Sequence, residues 1–485
     1  MKRLVKNMSI YGIGSVAARA IQVILLPIYT RFLQPADYGS LELVYMVAGV
    51  LAIMYGLMIG SGYLRTYYDS RDQAHRDRVL GSAFWFTFFC AILVGGAALL
   101  FSHDLADAIF KFEGGGVFIT LIAVATAIKA HNYIFYNLLI VREKASTYVW
   151  VNIATIVVTI GITIYFVVFL HWAVRGILLA QVVAYGLEFA ILSFLLMRRS
   201  LWVYSTAAVK EMLALSIPLI PLQLASFILT MADRFFLQEY RTLDEVGLYS
   251  LGYKFASIMP FLVIEPFKAF GPHLFNLIDQ PQKCKQTLAD FTRYYMAGSV
   301  FFALAIAMFS REVIMIMSTP EYYDAYRVVF LLCLSYVFYG LTSLTGYAIN
   351  IVKKNWIIGL SWLIGAGINV GLNFLLIPDY GMMGAAVATI LSYAIVAIGR
   401  LIIIKRVYPV SFDYLAFIGV VIAGCLVYAV STMAHVGLAL AVIAKVVLLV
   451  LFVGGLLYSG YFTADERAGG MRLLRSCLSR NSTKI

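Results

Sequence analysis

Basic side chains inside long apolar stretches are the residues of this sequence that could do chemistry. Lys129 lies in the middle of such a stretch, and Tyr133 and Tyr136 follow it at the spacing that puts all three on one face of a helix. Arg19 and Lys254 lie inside two other stretches. A charge in the core of a membrane is costly and usually faces a cavity or a partner. This cationic excess predicts a binding site for an anion such as phosphate or pyrophosphate, with aromatic rings to hold sugars.

Acidic side chains within the apolar stretches are few, namely Glu42, Glu188, Asp233 and Glu265. Asp233 precedes Arg234, a further basic residue that could bind the anion; alternatively, the pair anchors its helix at the membrane interface. Asp233 or Glu265 could carry a coupling proton or sodium ion. No other cofactor and no metal ion is expected.

Other basic residues lie near the predicted inner ends of their helices. Arg65, Lys268 and Arg400 are expected to extend their charged groups to the lipid headgroups. Lys254 and Glu265 are eleven residues apart, which is three helical turns and about 16 Å along one helix. We therefore expect them to share a face without pairing directly.

Motifs for other kinds of chemistry are absent from the sequence. The dipeptide Gly-Lys does not occur, which excludes a P-loop, and HExxH, GxSxG and Asp-x-Asp are missing too. The six histidines are isolated, and the five cysteines form no CxxC, so they are expected to be free thiols. The GxxxG pairs Gly56/Gly60 and Gly367/Gly371 predict close helix packing. The pattern favours a transporter over an enzyme.

The elements that must position these residues are membrane-spanning helices. The chain of 485 residues is 62% hydrophobic and only 13% charged, against roughly 25% charged residues in a soluble domain. About 20 apolar residues cross a bilayer as a helix. The sequence therefore predicts an all-α polytopic membrane protein with fourteen spans, which begin near residues 8, 39, 80, 117, 147, 176, 213, 246, 294, 326, 355, 381, 412 and 437.

The distribution of positive charge predicts the orientation of these spans. If the N-terminus is cytoplasmic, the alternate segments on that side carry most of the 37 Lys and Arg residues. Both termini are then expected in the cytoplasm, and the last 25 residues form a basic cytoplasmic tail. The net charge of +12 reflects this topology, so no nucleic-acid partner is expected.

An internal repeat relates the two halves of the chain. Residues of the first half recur 203 or 208 positions later, in pairs that include Arg31/Arg234, Gly39/Gly247, Tyr133/Tyr336 and Tyr185/Tyr393. Six spans is an even number, so both copies enter the membrane in the same direction. The predicted parts are an N-lobe (1–198), a linker (199–212), a C-lobe (213–406), two extra helices (407–460) and the tail (461–485). Two similar lobes suit a midplane cavity that opens alternately to each side.

Four segments resemble the Wzx-type polysaccharide flippases of the MOP (multidrug, oligosaccharidyl-lipid, polysaccharide) transporter superfamily: "LLPIYTRFLQPADYGSLEL", "SIPLIPLQLASFILTMADRFFL", "VGLYSLGYKFA" and "PEYYDAYRVVFLLCLSY". The resemblance implies two six-helix lobes around a cationic cavity. It implies alternating-access export of an undecaprenyl-pyrophosphate-linked oligosaccharide, across the bacterial inner membrane, for O-antigen, capsule or exopolysaccharide. It further implies membrane lipid, a polysaccharide polymerase and a chain-length regulator as partners.

The same resemblance makes the pair Asp233-Arg234 a recognisable family feature. Fourteen spans also occur in the related lipid II flippases, where the last two helices help to form a lipid groove. Lys445, in the last span, departs from the pattern and has no assigned role.

Three functions are compatible with the sequence. In a flippase, Arg19, Lys129, Arg234 and Lys254 would attract the pyrophosphate, while Tyr133 and Tyr136 would stack on sugars. A drug antiporter of the same superfamily needs an acidic cavity, and the excess here is basic. The third possibility is a membrane-embedded enzyme that acts on lipid-linked sugars, such as a polymerase or an acyltransferase. A polymerase should carry a large periplasmic loop, which the sequence lacks. The sugar, the coupling ion and the oligomeric state are left open.

Overall fold

The chain is helical throughout the part that the structure describes. The computed structural model describes residues 25–111, 114–196, 202–265, 267–433, 437–462 and 466, and these contain no strand. Twelve of the helical segments are long and apolar enough to cross a membrane. Helices prevail because backbone polar groups in lipid must be hydrogen-bonded within their own segment. The predicted all-α polytopic class is confirmed.

A helical stretch at residues 25–32 is the described end of the first predicted span. The second to sixth predicted spans are built from α1 (Pro35–Gly56), α2 (Ile59–Tyr68), α3 (Gln73–Leu100), α4 (Ser102–Phe110), α5 (Gly116–Val141), α6 (Ala145–Ile164) and α7 (Ala173–Leu196). A π-helical turn, Tyr165–Phe169, extends α6.

The rest of the chain continues with α8 (Thr206–Ser216), α9 (Ile220–Tyr240), α10 (Leu243–Ala256), α11 (Met259–Val263), α12 (Phe267–Phe275), α13 (Pro281–Met317), α14 (Tyr326–Ile351), α15 (Trp356–Val407), α16 (Tyr414–Met433) and α17 (Leu438–Tyr458). Short 3₁₀ turns, Ile217–Leu219 and Pro320–Ala325, precede α9 and α14.

The count of spans agrees with about fourteen. Helix α15 has 52 residues, or about 78 Å, more than twice the hydrocarbon thickness of about 30 Å. Gly381 interrupts the helix with φ 54° and ψ −134°, a backbone conformation that residues other than glycine rarely adopt. Helix α15 therefore supplies two spans, and the twelve candidates become thirteen. Most of the first predicted span lies outside the described residues.

The second predicted span of each copy is broken. Leu57 and Met58, between α1 and α2, have φ of 41° and 59°, at a cost of roughly 1–2 kcal/mol for each residue. The corresponding span of the second copy divides into α10 and α11, where Pro260 lacks the N–H that a continuous helix would need. The expectation that Lys254 and Glu265 share one face of a continuous helix is therefore wrong.

Three of the four glycines in the GxxxG pairs do not pack helices together. No atom of another described element lies within 4 Å of a Cβ built on Gly56, Gly367 or Gly371. The packing prediction is wrong for these three positions. Gly60 differs, because the ring of Tyr133 lies against it.

The repeated motif of the sequence forms the starts of α1 and α10. Pro35 occupies the first turn of α1, where its fixed φ suits a helix, and the carboxylate of Asp37 accepts a hydrogen bond from the Gln34 N–H at 3.3 Å. At α10 the Thr242 hydroxyl accepts one from the Glu245 N–H, also at 3.3 Å. Both helices thus begin with local capping, at the end predicted to face outward.

Glycines of the repeat allow α1 and α10 to cross with their backbones in contact. A Cβ on Gly39 would lie 3.1 Å from the Gly247 nitrogen and would overlap the carbonyl oxygen of Leu243. A Cβ on Gly247 would overlap the carbonyl oxygen of Pro35 in the same way. Each copy of the repeat therefore contributes one glycine to the same crossing, which is why the motif occurs twice.

Backbone contacts divide the chain into two compact units. The first comprises Met1–Leu251, Met315–Asp324 and Trp362–Ala388, and the second comprises Gly252–Ile314, Ala325–Ser361 and Thr389–Ile485. Segments of the second sequence copy thus belong to the first unit. The lobe boundaries drawn from the repeat stay a prediction.

Candidate functional site

Helix α5 presents Lys129 and Tyr133 on one open face. Both side chains are exposed, and that of Tyr133 is 55% exposed. Tyr136, one turn further on, is half-buried, and the neighbouring His131 and Asn132 are buried on the other side of the helix. The predicted arrangement of lysine and two tyrosines along one face is present in the structure.

The Lys129 ammonium lies against helix α7. Its Nζ is 5.1 Å from the ring centroid of Tyr185 and 3.5 Å from the Tyr185 hydroxyl oxygen. The Asn132 amide donates a hydrogen bond of 3.1 Å to the Tyr185 carbonyl oxygen, which fixes the two helices at this level. A cation over an aromatic ring is held loosely, at about 0.5–1 kcal/mol where exposed. Lys129 is thus oriented and still open to a ligand.

Polar groups continue along the same part of α7. The Gln181 side chain, one turn before Tyr185, donates a hydrogen bond of 2.6 Å to the Tyr45 hydroxyl on α1. An exposed ammonium binds phosphate as a point charge, and phenol rings offer flat apolar faces with a polar edge. Together these groups can bind an anion that carries a sugar. We call Lys129, Tyr133, Tyr136 and Tyr185 the lysine–tyrosine face.

Arg234 lies in a buried ion cluster and not on this face. Its side chain is 2% exposed; Nε is 3.5 Å from a Glu42 carboxylate oxygen, and a terminal nitrogen donates a hydrogen bond of 2.8 Å to the Thr230 carbonyl oxygen. Asp233 is 4.0 Å from the same guanidinium and accepts a hydrogen bond from the Tyr249 hydroxyl. The cluster joins α1, α9 and α10. The role predicted for Arg234 in binding the anion stays a prediction.

The remaining predicted site residues lie elsewhere. Lys254 is exposed in the last turn of α10, and Glu265 is half-buried just after α11. Both belong to the second unit, whereas Lys129 belongs to the first. Arg19 lies outside the described residues. The roles predicted for these three residues stay predictions, as does the coupling role of Asp233.

Arg400 does not extend to the lipid headgroups, contrary to the expectation. It is buried, with hydrogen bonds of 2.7 Å to the Ser361 hydroxyl, 2.8 Å to the Thr342 carbonyl oxygen and 3.2 Å to the Ile358 carbonyl oxygen. A guanidinium has five donors in a rigid fork, and here backbone oxygens accept from it. Its role is to tie α14 and α15 together within the second unit.

Lys445, which had no assigned role, forms an ion pair with Glu312 of α13. Both side chains are largely buried. Glu312 was not among the acidic residues singled out from the sequence, because it lies near the end of its span. The pair anchors α17, which lies outside the repeat, to the second unit.

This ion pair leads to a prediction about stability. Lys445→Met alone should lower the midpoint of thermal aggregation in detergent, because it leaves the Glu312 carboxylate buried without its cation, a loss of about 3–5 kcal/mol. Adding Glu312→Gln should restore most of the loss. Equal midpoints for the single and the double variant would contradict the pairing.

Helices α16 and α17 enclose an apolar cavity of about 700 Å³. Its lining is mostly apolar, and the lining at one end is polar, with Asp413, Ser459 and Tyr461. The Tyr461 hydroxyl donates a hydrogen bond of 2.9 Å to the Arg293 carbonyl oxygen. This groove can accept a hydrocarbon chain.

Comparisons with known proteins agree with this architecture. The sequence profile of the family described as "Polysaccharide biosynthesis protein" matches residues 4–277. An uncharacterized membrane protein of Haemophilus influenzae is 22% identical over 284 residues, which are 57% of this chain. The matched region spans 66% of that relative, just under two thirds of its length.

Solved structures of transporters share the fold. The lipid II flippase MurJ, in an inward closed conformation, has a TM-score of 0.75 at 12% identity, over 93% of this chain and 98% of that one. An inward-facing multidrug resistance MATE family transporter of the MOP superfamily has a TM-score of 0.67 at 14% identity, over 80% and 94%. A point mutant of the Vibrio cholerae MATE transporter VcmN has a TM-score of 0.56 at 14% identity, over 84% and 96%. At such identities the likeness concerns the fold alone.

Proposed function

The chain belongs to the polysaccharide biosynthesis protein family and is a multi-pass membrane transporter. From that premise we propose that it moves an undecaprenyl-pyrophosphate-linked oligosaccharide across the bacterial inner membrane, by alternating access, for O-antigen, capsule or exopolysaccharide synthesis. A polymerase and a chain-length regulator would take up the product on the outer side. The observation that carries the proposal is the exposed Lys129 ammonium on the lysine–tyrosine face.

Lys129 lies near the middle of α5, about 20 Å along the helix from either end. An exposed ammonium at this depth is costly in hydrocarbon, so its face has to line a polar passage. A pyrophosphate offers the opposite charge, and the flanking phenol rings of Tyr133 and Tyr136 offer surfaces for sugar rings. A cationic drug would be repelled by the same ammonium.

The lipid part of the substrate needs a different surface. The cavity between α16 and α17 is mostly apolar, and its polar end carries Asp413 and Tyr461. A polyisoprenoid chain in this groove would stay in hydrocarbon while its head crosses. This division of the substrate avoids moving the chain through a polar passage.

The test uses cells in which this gene has been deleted and then restored as variants. Lys129→Ala should reduce surface polysaccharide about tenfold or more, because a hydrogen bond to a charged group contributes about 1.5–3 kcal/mol. Lipid-linked oligosaccharide should accumulate in the membrane, and Lys129→Arg should retain part of the export. The matched control is Lys210→Ala, an exposed lysine of α8.

If cells with Lys129→Ala make the protein at its normal level and still carry normal amounts of surface polysaccharide, Lys129 does not belong to the substrate site. Efflux of a cationic dye that depends on the protein would instead favour a drug antiporter. A purified protein that changes the covalent structure of its lipid-linked substrate would favour an enzyme.

A further inference from the structure

Glu188 of α7 is a buried carboxylate in the middle of the first unit. Its residue is 5% exposed. One carboxylate oxygen accepts a hydrogen bond of 2.7 Å from the Asn132 amide, and the other accepts from the hydroxyls of Tyr136 and Thr155, the latter at 3.0 Å. Helices α5, α6 and α7 thus meet at this one side chain.

All three partners are neutral hydrogen-bond donors. Among the described residues, no basic group lies within ion-pair distance of Glu188. Buried carboxylates are normally paired with a cation or hold a metal ion, since removing the charge from water costs several kcal/mol. A carboxylate in a membrane span that has only neutral donors is suited to bind and release a proton.

The six-helix architecture does not require an acid at this position. The residue 208 positions later is Val396, in the same register that relates Tyr185 to Tyr393. Val396 is buried too. Tyr136 recurs as Tyr339, but its acidic partner does not recur. Because valine fills the equivalent position of the second copy, packing of the six-helix unit does not by itself require an acid there. Glu188 occurs in the first copy alone.

The other titratable groups around Glu188 come from three helices packed against α7. Helix α5 brings Lys129 and His131. Lys129 lies against Tyr185, and the Nδ1 of His131 lies 2.9 Å from the Ala127 carbonyl oxygen, which can only accept a hydrogen bond, among phenylalanine rings. Helix α6 contributes Tyr148, whose ring centroid is 4.7 Å from that of Tyr136.

Helix α1 contributes Tyr45, whose hydroxyl accepts a hydrogen bond from the Gln181 side chain. Lys129 is thus connected to Glu188 through contacts with Tyr185 and Asn132.

We propose that Glu188 is a proton-binding site of the first unit. A hydronium ion transfers its proton to one carboxylate oxygen and is left as water, and the carboxyl group becomes neutral. One of its donors must then become an acceptor. The Thr155 hydroxyl can do this without moving, because the Val151 carbonyl oxygen lies 2.9 Å away and can accept its hydrogen. The Thr155 oxygen then accepts from the protonated carboxyl group.

Protonation would also act on the lysine–tyrosine face. With Glu188 neutral, the ammonium of Lys129 has less negative charge nearby and attracts an anion more strongly. Release of the proton would weaken the hold on the anion. This consequence rests on the proposed function, whereas proton binding by Glu188 does not.

The experiment is infrared difference spectroscopy of the purified full-length protein in lipid as the pH is varied. The wild type should show the C=O stretching band of a protonated carboxyl group that appears as the pH falls. Glu188→Gln should lose this band, and the exposed control Glu211→Gln should keep it. Asn132→Leu, which removes a donor to the carboxylate together with the hydrogen bond to the Tyr185 carbonyl oxygen, should move the pH midpoint at which the band appears.

An unchanged band in Glu188→Gln would overturn the proposal, and so would an unmoved midpoint in Asn132→Leu if Glu188→Gln does not fold. Loss of the band on adding Na⁺ at constant pH would assign the site to a metal cation and overturn proton binding. Export by Glu188→Gln cells tests the coupling separately. Normal export together with a lost band would uphold the proton site and remove its role in transport.

Discussion

Arg234→Met is expected to destabilise the protein by about 3–5 kcal/mol, the cost of breaking a buried ion pair by removing one partner. The change leaves the carboxylate of Glu42 buried, 3% exposed, without the guanidinium that compensates it. Asp233 would retain the hydrogen bond from Tyr249 but lose the same cation. The measurement is the midpoint of thermal aggregation in detergent, together with the amount of monodisperse protein after purification.

The control for this prediction is an arginine whose ion pair lies on the surface. Arg65→Met removes a pair with Asp69 in which the arginine side chain is 75% exposed, and such pairs contribute about 0–1 kcal/mol. The double variant Glu42→Gln/Arg234→Met should recover part of the lost stability. Similar midpoints for Arg234→Met and Arg65→Met would mean that the cluster does not stabilise the fold.

Gly247→Leu is expected to abolish export while leaving the protein in the membrane. The new side chain would overlap the carbonyl oxygen of Pro35, which is backbone and cannot turn aside. Helices α1 and α10 would have to separate at the end predicted to face outward. A transporter that opens alternately to the two sides needs this crossing to close in one of its states. We therefore expect at least a tenfold loss of surface polysaccharide, which corresponds to about 1.4 kcal/mol or more.

Labelling of a single cysteine tests the separation itself. Ser40, next to Gly39 on α1, is 5% exposed, so Ser40→Cys in a background without native cysteines should react slowly with a membrane-impermeant maleimide. Adding Gly247→Leu should speed the reaction several-fold. Gly367→Ala is the matched control, because nothing lies within 4 Å of its added Cβ. Equal labelling with and without Gly247→Leu would show that the crossing tolerates a side chain.

Local features of the candidate site could be predicted from the sequence. Lys129 and Tyr133 share an exposed face because helical spacing alone puts residues four apart side by side. The sequence repeat identified Gly39 and Gly247 as equivalent residues. Only the structure shows that α1 and α10 cross at these two glycines. Predictions that assumed an unbroken helix were less successful. Lys254 and Glu265 are separated by a break, since local backbone conformation at a proline overrides periodicity.

The partners of the buried charges could not be predicted in this way. The sequence predicted that the Arg400 side chain extends to the lipid headgroups, and it assigned no role to Lys445. In the structure, the Arg400 guanidinium donates hydrogen bonds to backbone carbonyl oxygens, whereas the Lys445 ammonium pairs with a carboxylate on α13. No pattern in the sequence assigned a role to Glu188, because the three residues that donate hydrogen bonds to it lie 33 to 56 positions away.

The sequence by itself determined the membrane class, the approximate number of spans and the internal repeat. Hydrophobicity accumulates along consecutive residues, so a span is encoded locally, and a repeat is visible wherever equivalent residues recur at a constant distance. Only the tertiary structure decided which charges inside the spans are buried with partners and which, like Lys129, are exposed. That outcome depends on distances of a few ångströms between helices far apart in the chain, as for Glu42 and Arg234, and no local pattern specifies such distances.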